Sequence, residues 1–298
     1  MIPIIDTHQH LWDLDKLSLS WVKGLELMNR SYLMSDYLKA AEGTGIEKTV
    51  YMEVNVDPEC MALEVEQMTE HCLSPETPMQ AMVIALDPMA ADFKDNLKLK
   101  AANPHVRGVR SVLHIPQTGP GYCLQEDFIS GVTELGRSGL IFDICIRPAD
   151  LPDAVKLVMS TPETTFVIDH CGNADPHIVN GDTDPGSEPT DNPFWHTAQG
   201  WKDQMSELAG SPNTICKISG IVARAQAGWN ADTLAPTINH CLEVFGSERV
   251  VFGGDWPVCL FGTQLLTWVG AFREIIGKHS SEVQRRVMNQ NAQRIYNI

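Results

Sequence analysis

Residues 2–8 read IPIIDTH, a short apolar run that ends in a histidine. Seven further runs of this kind follow along the chain, at 48–54 (KTVYMEV), 79–86 (MQAMVIAL), 106–113 (VRGVRSVL), 140–146 (LIFDICI), 164–170 (TTFVIDH), 213–219 (NTICKIS) and 250–255 (VVFGGD). Short runs that are almost continuously apolar are typical of parallel strands buried on both faces. The sequence therefore predicts eight buried strands.

Helix-forming segments separate these strands, near 35–43, 58–72, 90–102, 125–137, 150–160, 195–209, 232–245 and 262–277. Most of them begin with a capping or N1 residue such as Ser35 or Pro58. Eight strand–helix units within 298 residues match a closed barrel better than an open doubly wound sheet. We expect residues 1–298 to form one α/β domain, a (β/α)₈ TIM barrel, closed from outside by a helix near 280–290 and the tail NQNAQRIYNI.

Two features bear on alternatives to this plain barrel. No G-x-G-x-x-G turn follows the first strand, which argues against a dinucleotide-binding fold. The segment 171–194, CGNADPHIVNGDTDPGSEPTDNPF, is polar and too long for an ordinary connection between strand and helix. It is a candidate lid over a site, and a passive surface excursion is the equal alternative.

Charge and composition limit the classes of partner. Lys and Arg number 22 against 38 Asp and Glu, which gives a formal net charge of −16. The sequence has no cluster of basic residues that could bind phosphate groups, so we do not expect nucleic acid or anionic membranes as partners. The sequence indicates a small-molecule substrate and leaves open whether the protein forms a homo-oligomer.

The eight cysteines and the N-terminus indicate a cytoplasmic protein. No C-x-x-C pair occurs, and several cysteines lie within apolar runs such as FDICI and TICKI, which is typical of buried free thiols in a reducing compartment. The opening MIPIIDTHQH has no charged n-region, and no apolar stretch approaches the roughly 18 residues of a membrane span.

Polar residues at the ends of three predicted strands indicate a site. His8 and His10 are two positions apart, so in a strand both project from the same face into the barrel. His170 ends TFVIDH, with Asp169 expected to point the other way, and Asp255 ends VVFGGD after two glycines that permit close backbone approach. A buried carboxylate needs a hydrogen-bonding partner, a cation or exposure at the barrel mouth. The non-catalytic alternative for Asp255 is that it caps the N-terminus of a helix.

Five motifs resemble the amidohydrolase-related family, and within it the branch of sugar-lactone and 2-pyrone-4,6-dicarboxylate lactonases. They span the whole chain in the expected order: D-T-H-Q-H-L-W-D (6–13), V-I-D-H-C-G (167–172), C-K-I-S-G (216–220), G-G-D-W-P-V (253–258) and N-A-Q-R-I-Y (291–296). The resemblance implies a barrel hydrolase in which water attacks a carbonyl carbon. It also implies that Asp255 is the general base and that His8, His10 and His170 are metal ligands or donors that polarise the carbonyl.

The resemblance also limits the number of metal ions. Binuclear members of the superfamily carry a lysine or glutamate on the fourth strand and a histidine on the fifth, but these strands here read VRGVRSVLH and LIFDICI. We therefore expect no two-metal site. One divalent ion, zinc before others, has suitable ligands in His8, His10, His170 and Asp255, and catalysis without a metal stays open.

Six more side chains lie in or near predicted strand ends and are candidates for substrate contact: Trp12, Glu53, Arg110, His114, Arg147 and Lys217. Trp12 is suited to stacking on a ring, or to packing under loops. Glu53 could add a carboxylate ligand or bind a substrate hydroxyl, and a solvated charge at the strand end is the alternative.

The three cations have their own alternatives. Arg110 and Arg147 could grip a substrate carboxylate or tie neighbouring loops through salt bridges. Lys217 stands in the apolar TICKIS, where an ammonium is costly unless it faces the barrel mouth, so we expect it to bind substrate or to support a residue that does.

Three functions compete. Hydrolysis of a small lactone, such as the cyclic ester of a sugar acid, is the leading hypothesis. A metal-dependent non-oxidative decarboxylase of a small aromatic or unsaturated acid is the alternative enzyme, because barrels of this superfamily with H-x-H and a sixth-strand histidine also remove carboxylates. A non-catalytic binding barrel belongs to a different class, and the presence of all four central residues argues against it. The substrate itself does not follow from the sequence.

Overall fold

Eight parallel strands form one sheet in chain order in the computed structural model, which describes residues 1–186 and 188–298. The strands are β1 (Ile4–Gln9), β2 (Ile46–Met52), β3 (Met79–Ala85), β4 (Val106–Leu113), β5 (Ile141–Ile146), β6 (Thr165–Ile168), β7 (Thr214–Ile218) and β8 (Val250–Phe252). All eight predicted strands are confirmed. The right-handed alternation of strand and helix brings the strands' carboxyl ends to one end of the barrel.

The barrel closes between β1 and the end of β8, together with the segment that follows β8. The Thr7 hydroxyl donates to the Phe252 carbonyl at 2.7 Å, and the Asp255 amide donates to the His8 carbonyl at 2.8 Å. Further along, the His10 amide donates to the Trp256 carbonyl at 2.9 Å. These bonds lie at the carboxyl ends of the strands, so the seam itself places His8 beside Asp255.

The predicted helices are confirmed within a few residues: α1 (Met34–Ala41), α2 (Met61–Leu73), α3 (Phe93–Ala101), α4 (Glu126–Arg137), α5 (Leu151–Ser160), α8 (Ala198–Ala209), α9 (Ala231–Phe245) and α10 (Leu265–Ile276). Two short elements, α6 (His170–Asn173) and α7 (Pro176–Asn180), fall in the long segment after β6. The C-terminal part forms α11 (Ser281–Arg285), a π-turn at Arg286–Gln290 and α12 (Asn291–Tyr296).

The barrel interior is apolar at the end opposite the strand carboxyl ends. One inward-facing cluster combines strand residues such as Ile141, Val167 and Ile215 with Ala292 and Tyr296 of α12. The C-terminal tail therefore closes this end of the barrel, as expected. A second, larger cluster fills the space between the strands and the outer helices, which is the usual distribution of a core in this architecture.

Two strands that carry expected site residues end two or three residues earlier than the sequence predicts. β6 stops at Ile168 and β8 at Phe252, because His170 and Asp255 adopt left-handed backbone conformations, with φ of 54° for each. Non-glycine residues are uncommon in this region of backbone space and are concentrated at functional sites. The strand pattern therefore breaks at two of the four residues expected to form the site.

Two other expectations concern the state of the cysteines and membrane-spanning helices. All eight cysteines are free thiols, and six of them are buried, as the sequence predicts. Within the described residues, no helix has the length and apolar character needed to cross a membrane.

Candidate functional site

A cavity of about 270 Å³ opens at the carboxyl ends of the strands. Its lining includes six of the ten residues predicted to form the site: His10, Trp12, Arg110, His114, His170 and Asp255. The other twelve lining residues are Trp21, Val54, Asn55, Val112, Ile115, Cys145, Asn173, Gly220, Ala223, Arg224, Val258 and Phe261. The volume suits a small ring rather than a polymer.

Four side chains converge at one point of this cavity, and we call His8, His10, His170 and Asp255 the cavity floor. Nε2 of His10 lies 3.4 Å from Oδ1 of Asp255, and Nε2 of His8 lies 3.6 Å from the same oxygen. The ring centroids of His8 and His170 are 4.7 Å apart. His8 is fully buried behind the other three. The structure thus brings together the four residues that the strand-end pattern singled out.

The backbone around Asp255 fixes this arrangement. The Asp6 carboxylate accepts hydrogen bonds from the amides of His8 (3.0 Å) and Gly254 (2.7 Å), which ties β1 to the turn after β8. A Cβ atom on Gly253 would lie 2.6 Å from Cβ of His8. Glycine is therefore required there for the two chain segments to approach closely, as the sequence predicts.

Hydrogen-bond partners decide where the ring protons of the histidines reside. Nδ1 of His10 lies 2.8 Å from the carbonyl oxygen of Met52, which can only accept, so this nitrogen carries a proton. In the neutral ring the lone pair of Nε2 then faces Oδ1 of Asp255. Two acceptors at 3.4 Å repel unless a proton or a cation lies between them. The floor is therefore built to receive a positive charge.

Burial and neighbouring charges set the protonation states. Burial opposes ionisation of Asp255, but the nearby rings of His170, His10 and His8 outweigh it and lower the pKa of this carboxyl to about 2. Burial lowers the pKa of His8 and of His170. At neutral pH the floor thus presents an ionised carboxylate and two neutral imidazoles, the states that a proton acceptor and metal ligands require.

The donor atoms of His8, His10 and Asp255 lie within 4.8 Å of one another and suit one divalent cation. Ligand atoms about 2 Å from a tetrahedral zinc ion are about 3.4 Å from each other, and the two distances to Asp255 are 3.4 and 3.6 Å. Nδ1 of His170 lies 2.9 Å from the Ser219 hydroxyl, which leaves its Nε2 free.

An ion network, formed by Glu53, Arg110, Asp143, Asp169 and Lys217, lies beneath the floor. Lys217 Nζ contacts Asp143 at 2.5 Å and Asp169 at 2.9 Å, and Arg110 Nε contacts Glu53 at 2.5 Å. Asp169 lies 3.5 Å from Nδ1 of His8. Lys217 and Glu53 are buried and do not line the cavity.

The network corrects three expectations. Asp169 does not point away from the site, because its backbone is still extended and its carboxylate lies on the same inward face as Val167; it is His170, with a left-handed backbone, that departs from the strand alternation. Lys217 does not reach the mouth, since two carboxylates hold its ammonium inside the barrel. Glu53 is not a solvated charge, since Arg110 binds it in the interior.

Arg147 lies outside the cavity, contrary to its prediction as a substrate contact. Its guanidinium contacts the Asp150 carboxylate and donates to the carbonyl oxygens of Ile115 and Thr118. These partners belong to the loops after β4 and β5. Arg147 therefore ties two neighbouring loops together, which is the alternative role that the sequence indicates for it.

His114 and Trp12 form parts of the cavity wall. Burial lowers the pKa of His114 to about 3, so its ring is neutral across the physiological range. The Trp12 indole nitrogen donates to the Arg30 carbonyl at 2.6 Å, and its ring packs edge-on against Trp21 and Tyr32. Trp12 thus combines a cavity surface with the packing role that the sequence left open.

Sequence reasoning missed Arg224, which enters the cavity from the loop after β7. One of its terminal nitrogens donates to Oδ1 of Asn173 at 2.8 Å, and its Nε has no hydrogen-bond partner. No carboxylate within the described part of the chain pairs with it, and burial lowers its pKa to about 10. It lies in IVARAQ, four residues after the C-K-I-S-G motif, and no strand pattern marks it.

The segment 171–194 contributes to the cavity at both ends. Asn173 lines the cavity, and the ring of Phe194 packs against His114 and lies over the guanidinium of Arg224. A position over two cavity residues is consistent with a lid, and the lid itself stays a prediction. Ser187 falls outside the described residues.

Comparison with known proteins gives a family and a set of relatives. The sequence model of the family described as Amidohydrolase matches residues 5–298. An L-fucono-1,5-lactonase of Burkholderia multivorans is 26% identical, with 86% of this chain and 82% of the relative covered. An L-rhamnono-gamma-lactonase of Scheffersomyces stipitis is 24% identical, with 99% and 98% covered.

Solved structures share the fold over essentially the whole chain. An amidohydrolase from Burkholderia multivorans with bound zinc has a TM-score of 0.81 at 22% identity, with 99% of both chains covered. A probable 2-pyrone-4,6-dicarboxylic acid hydrolase from Acinetobacter baumannii, with citric acid bound, scores 0.74 at 16% identity, with 100% of both covered. A 2,6-dihydroxybenzoate decarboxylase from Rhizobium scores 0.64 at 15% identity, covering 100% of this chain and 99% of the other. These likenesses establish the barrel architecture.

Proposed function

The chain belongs to the amidohydrolase family, and on that premise we propose that it hydrolyses a small lactone that carries a carboxylate. The observation that carries the proposal is the pair of acceptors, Nε2 of His10 and Oδ1 of Asp255, that face each other at 3.4 Å on the cavity floor. An ionised carboxylate held beside free imidazole nitrogens is suited to accept a proton from water. The curated lactonases among the relatives support ester hydrolysis over other reactions.

Asp255 acts as the general base in this mechanism. Its low pKa keeps it ionised, and its backbone, anchored through the seam to β1, fixes the direction of its oxygen atoms. As the water oxygen attacks the lactone carbonyl carbon, Asp255 accepts the water proton. It then donates that proton to the ring oxygen that leaves, so that the hydroxy acid is released and the carboxylate is regenerated.

The histidines of the floor hold charge and position. Nε2 of His8 and His10, with His170 and Asp255, would hold one divalent ion, for which zinc has suitable ligands. When bound, this ion would supply Lewis-acid polarisation of the substrate carbonyl. The contacts of Nδ1 of His10 with Met52 and of His170 with Ser219 keep both rings oriented toward the cavity.

Arg224 supports the assignment of a carboxylate to the substrate. Among the described residues, the largely buried guanidinium of Arg224 has one hydrogen bond, to Asn173, and no partner for Nε, which leaves donors for a ligand in the cavity. Guanidinium groups bind carboxylates through two parallel hydrogen bonds. Arg110 cannot play this part, because Glu53 already binds its Nε and accepts from a second nitrogen through its carbonyl.

The test is a panel of five- and six-membered lactones, with and without a carboxylate substituent, followed by proton release in wild-type protein and in Asp255→Asn. We expect hydrolysis of the carboxylated lactones, loss of activity in the variant, and sensitivity to a chelator if the ion is required. No proton release from any lactone would refute the proposal. Carbon dioxide release from an aromatic acid instead would establish the decarboxylase alternative, for which Arg224 would hold the departing or a second carboxylate.

A further inference from the structure

The ion network contains a lysine whose placement follows directly from the strand pattern. Asp143, Asp169 and Lys217 each lie two residues after a member of the apolar cluster that α12 closes. These apolar residues are Ile141, Val167 and Ile215. Side chains two apart in a strand share a face. The three charged groups therefore form the next level of the interior, on β5 and β7 and directly after β6, between the apolar cluster and the cavity floor.

We infer that Lys217 is a positioning residue that fixes His8 through Asp169, an inference that rests on the proposed role of the cavity floor. Lys217 has no exposed surface and does not line the cavity, so it touches no substrate. Its ammonium lies 2.9 Å from Oδ1 of Asp169, and that same oxygen lies 3.5 Å from Nδ1 of His8. One oxygen atom thus connects the lysine to the histidine.

The partners of His8 define a single tautomer. The Asp169 carboxylate can only accept, so it favours a proton on Nδ1. On the other side of the ring, a terminal nitrogen of Arg110 lies 3.5 Å from Nε2, and a guanidinium can only donate. Both contacts are 3.5 Å, longer than normal hydrogen bonds, and both favour a protonated Nδ1 and a lone pair on Nε2. This lone pair is the one that faces Asp255 at 3.6 Å.

Lys217 is needed for this geometry because a second cation, Arg110, also attracts the Asp169 carboxylate. Oδ2 of Asp169 lies 3.7 Å from Arg110, and neither Asp169 oxygen has a hydrogen bond that meets normal geometry. The ammonium, held in place from below by Asp143 at 2.5 Å, keeps Oδ1 on the side of His8. Without it, the carboxylate is free to rotate toward Arg110 and leave Nδ1 without an acceptor.

The test compares Lys217→Met with wild type and with Arg147→Met, which removes a salt bridge remote from His8. Histidine with nitrogen-15 in the ring reports the tautomer by NMR of the metal-free protein, and the His8 signal is assigned from its loss in His8→Gln. We expect a protonated Nδ1 in wild type and in Arg147→Met, and a mixture of tautomers in Lys217→Met. Zinc affinity, measured by chelator competition, is expected to fall about 10- to 100-fold in Lys217→Met only.

If Lys217→Met does not fold, the double variant Asp143→Asn/Lys217→Met replaces it, because it removes one buried charge of each sign. The same mixture of tautomers and the same loss of zinc affinity are expected there. A variant with a lower Tm but an unchanged tautomer and unchanged zinc affinity would overturn the inference, since Lys217 would then only stabilise the fold. Both readouts are made without substrate, so a failure of lactone hydrolysis would refute the proposed function and leave this test intact.

Discussion

The cavity floor and the ion network beneath it contain the same kinds of side chain in different surroundings. In the network, the closest contacts of Lys217 and Arg110 to carboxylates are 2.5 Å each. On the floor, the ion contacts of the Asp255 carboxylate within the described residues are with nitrogens of His10 and His8, at 3.4 and 3.6 Å. Paired charges inside a protein maintain its shape, whereas charges with long and incomplete contacts are available to a ligand.

The two arginines of the cavity show the same contrast. Glu53 binds Arg110 through both its side chain and its backbone carbonyl, and the pKa of Arg110 is raised because this pairing outweighs the effect of burial. Arg224 has no such partner, and burial lowers its pKa to about 10. Substitutions in the two regions should therefore separate activity from stability.

Asp255→Asn should give the largest effect on activity. It removes the proton acceptor while keeping the shape of the side chain, so kcat should fall by roughly 10²- to 10⁴-fold. The free energy of unfolding should change little, because the floor contacts of Asp255 are long. Steady-state kinetics and urea denaturation measure the two quantities, and a variant that keeps wild-type kcat would remove Asp255 from the chemistry.

Arg110→Met should give the largest effect on stability. It leaves Glu53 buried without a cation, and breaking a buried pair in this way destabilises by about 3–5 kcal/mol. The midpoint of urea denaturation should fall accordingly. Stability equal to wild type would mean that the network is not what maintains this part of the barrel.

Arg224→Met is the matched variant for Arg110→Met. Loss of charge-assisted hydrogen bonds should raise KM for a carboxylated lactone about 10- to 100-fold and leave KM for a neutral lactone nearly unchanged. Stability should be unaffected or higher, because the variant removes a buried charge without a partner. Equal losses with both lactones would show that Arg224 does not bind the carboxylate.

Glu64→Gln should give the smallest effect, and only at high pH. Glu64 accepts hydrogen bonds from Tyr51 and Val54 but has no cation beside it, and burial with the nearby Glu53 raises its pKa to about 7. The native state holds this proton between pH 4.5 and 7 while the unfolded state has lost it, so wild-type stability falls as pH rises through this window. The stability of Glu64→Gln relative to wild type should therefore be greater at pH 8 than at pH 5, and a difference independent of pH would contradict the assignment.

The barrel and the floor could be predicted because each rests on a local pattern. Eight apolar runs separated by helical segments define the strand order, and His8, His10, His170 and Asp255 lie where these runs end. The motif resemblance then supplied the family. None of these inferences requires knowledge of which side chain opposes which across the barrel.

The remainder of the site depends on pairings across the barrel and on backbone conformations that no strand pattern records. Asp169 faces inward because its backbone stays extended two residues after the interior residue Val167, and His170 reaches the site only because its own backbone is left-handed. The apolar surroundings of Lys217 in sequence predict a place at the mouth, because no strand pattern shows its partners, Asp143 and Asp169, which are 74 and 48 residues away. Arg224 lies in an irregular loop, where neither periodicity nor a motif marks a residue that faces the cavity.

The most direct test of the central claim, attack of water on a lactone carbonyl with Asp255 as the base, is hydrolysis in water enriched in oxygen-18, with mass spectrometry of the product. The account predicts a hydroxy acid with a single oxygen-18 atom in its new carboxylate, formed by wild type and not by folded Asp255→Asn. A product that has lost carbon dioxide, or labelled hydroxy acid formed equally fast by Asp255→Asn, would contradict it.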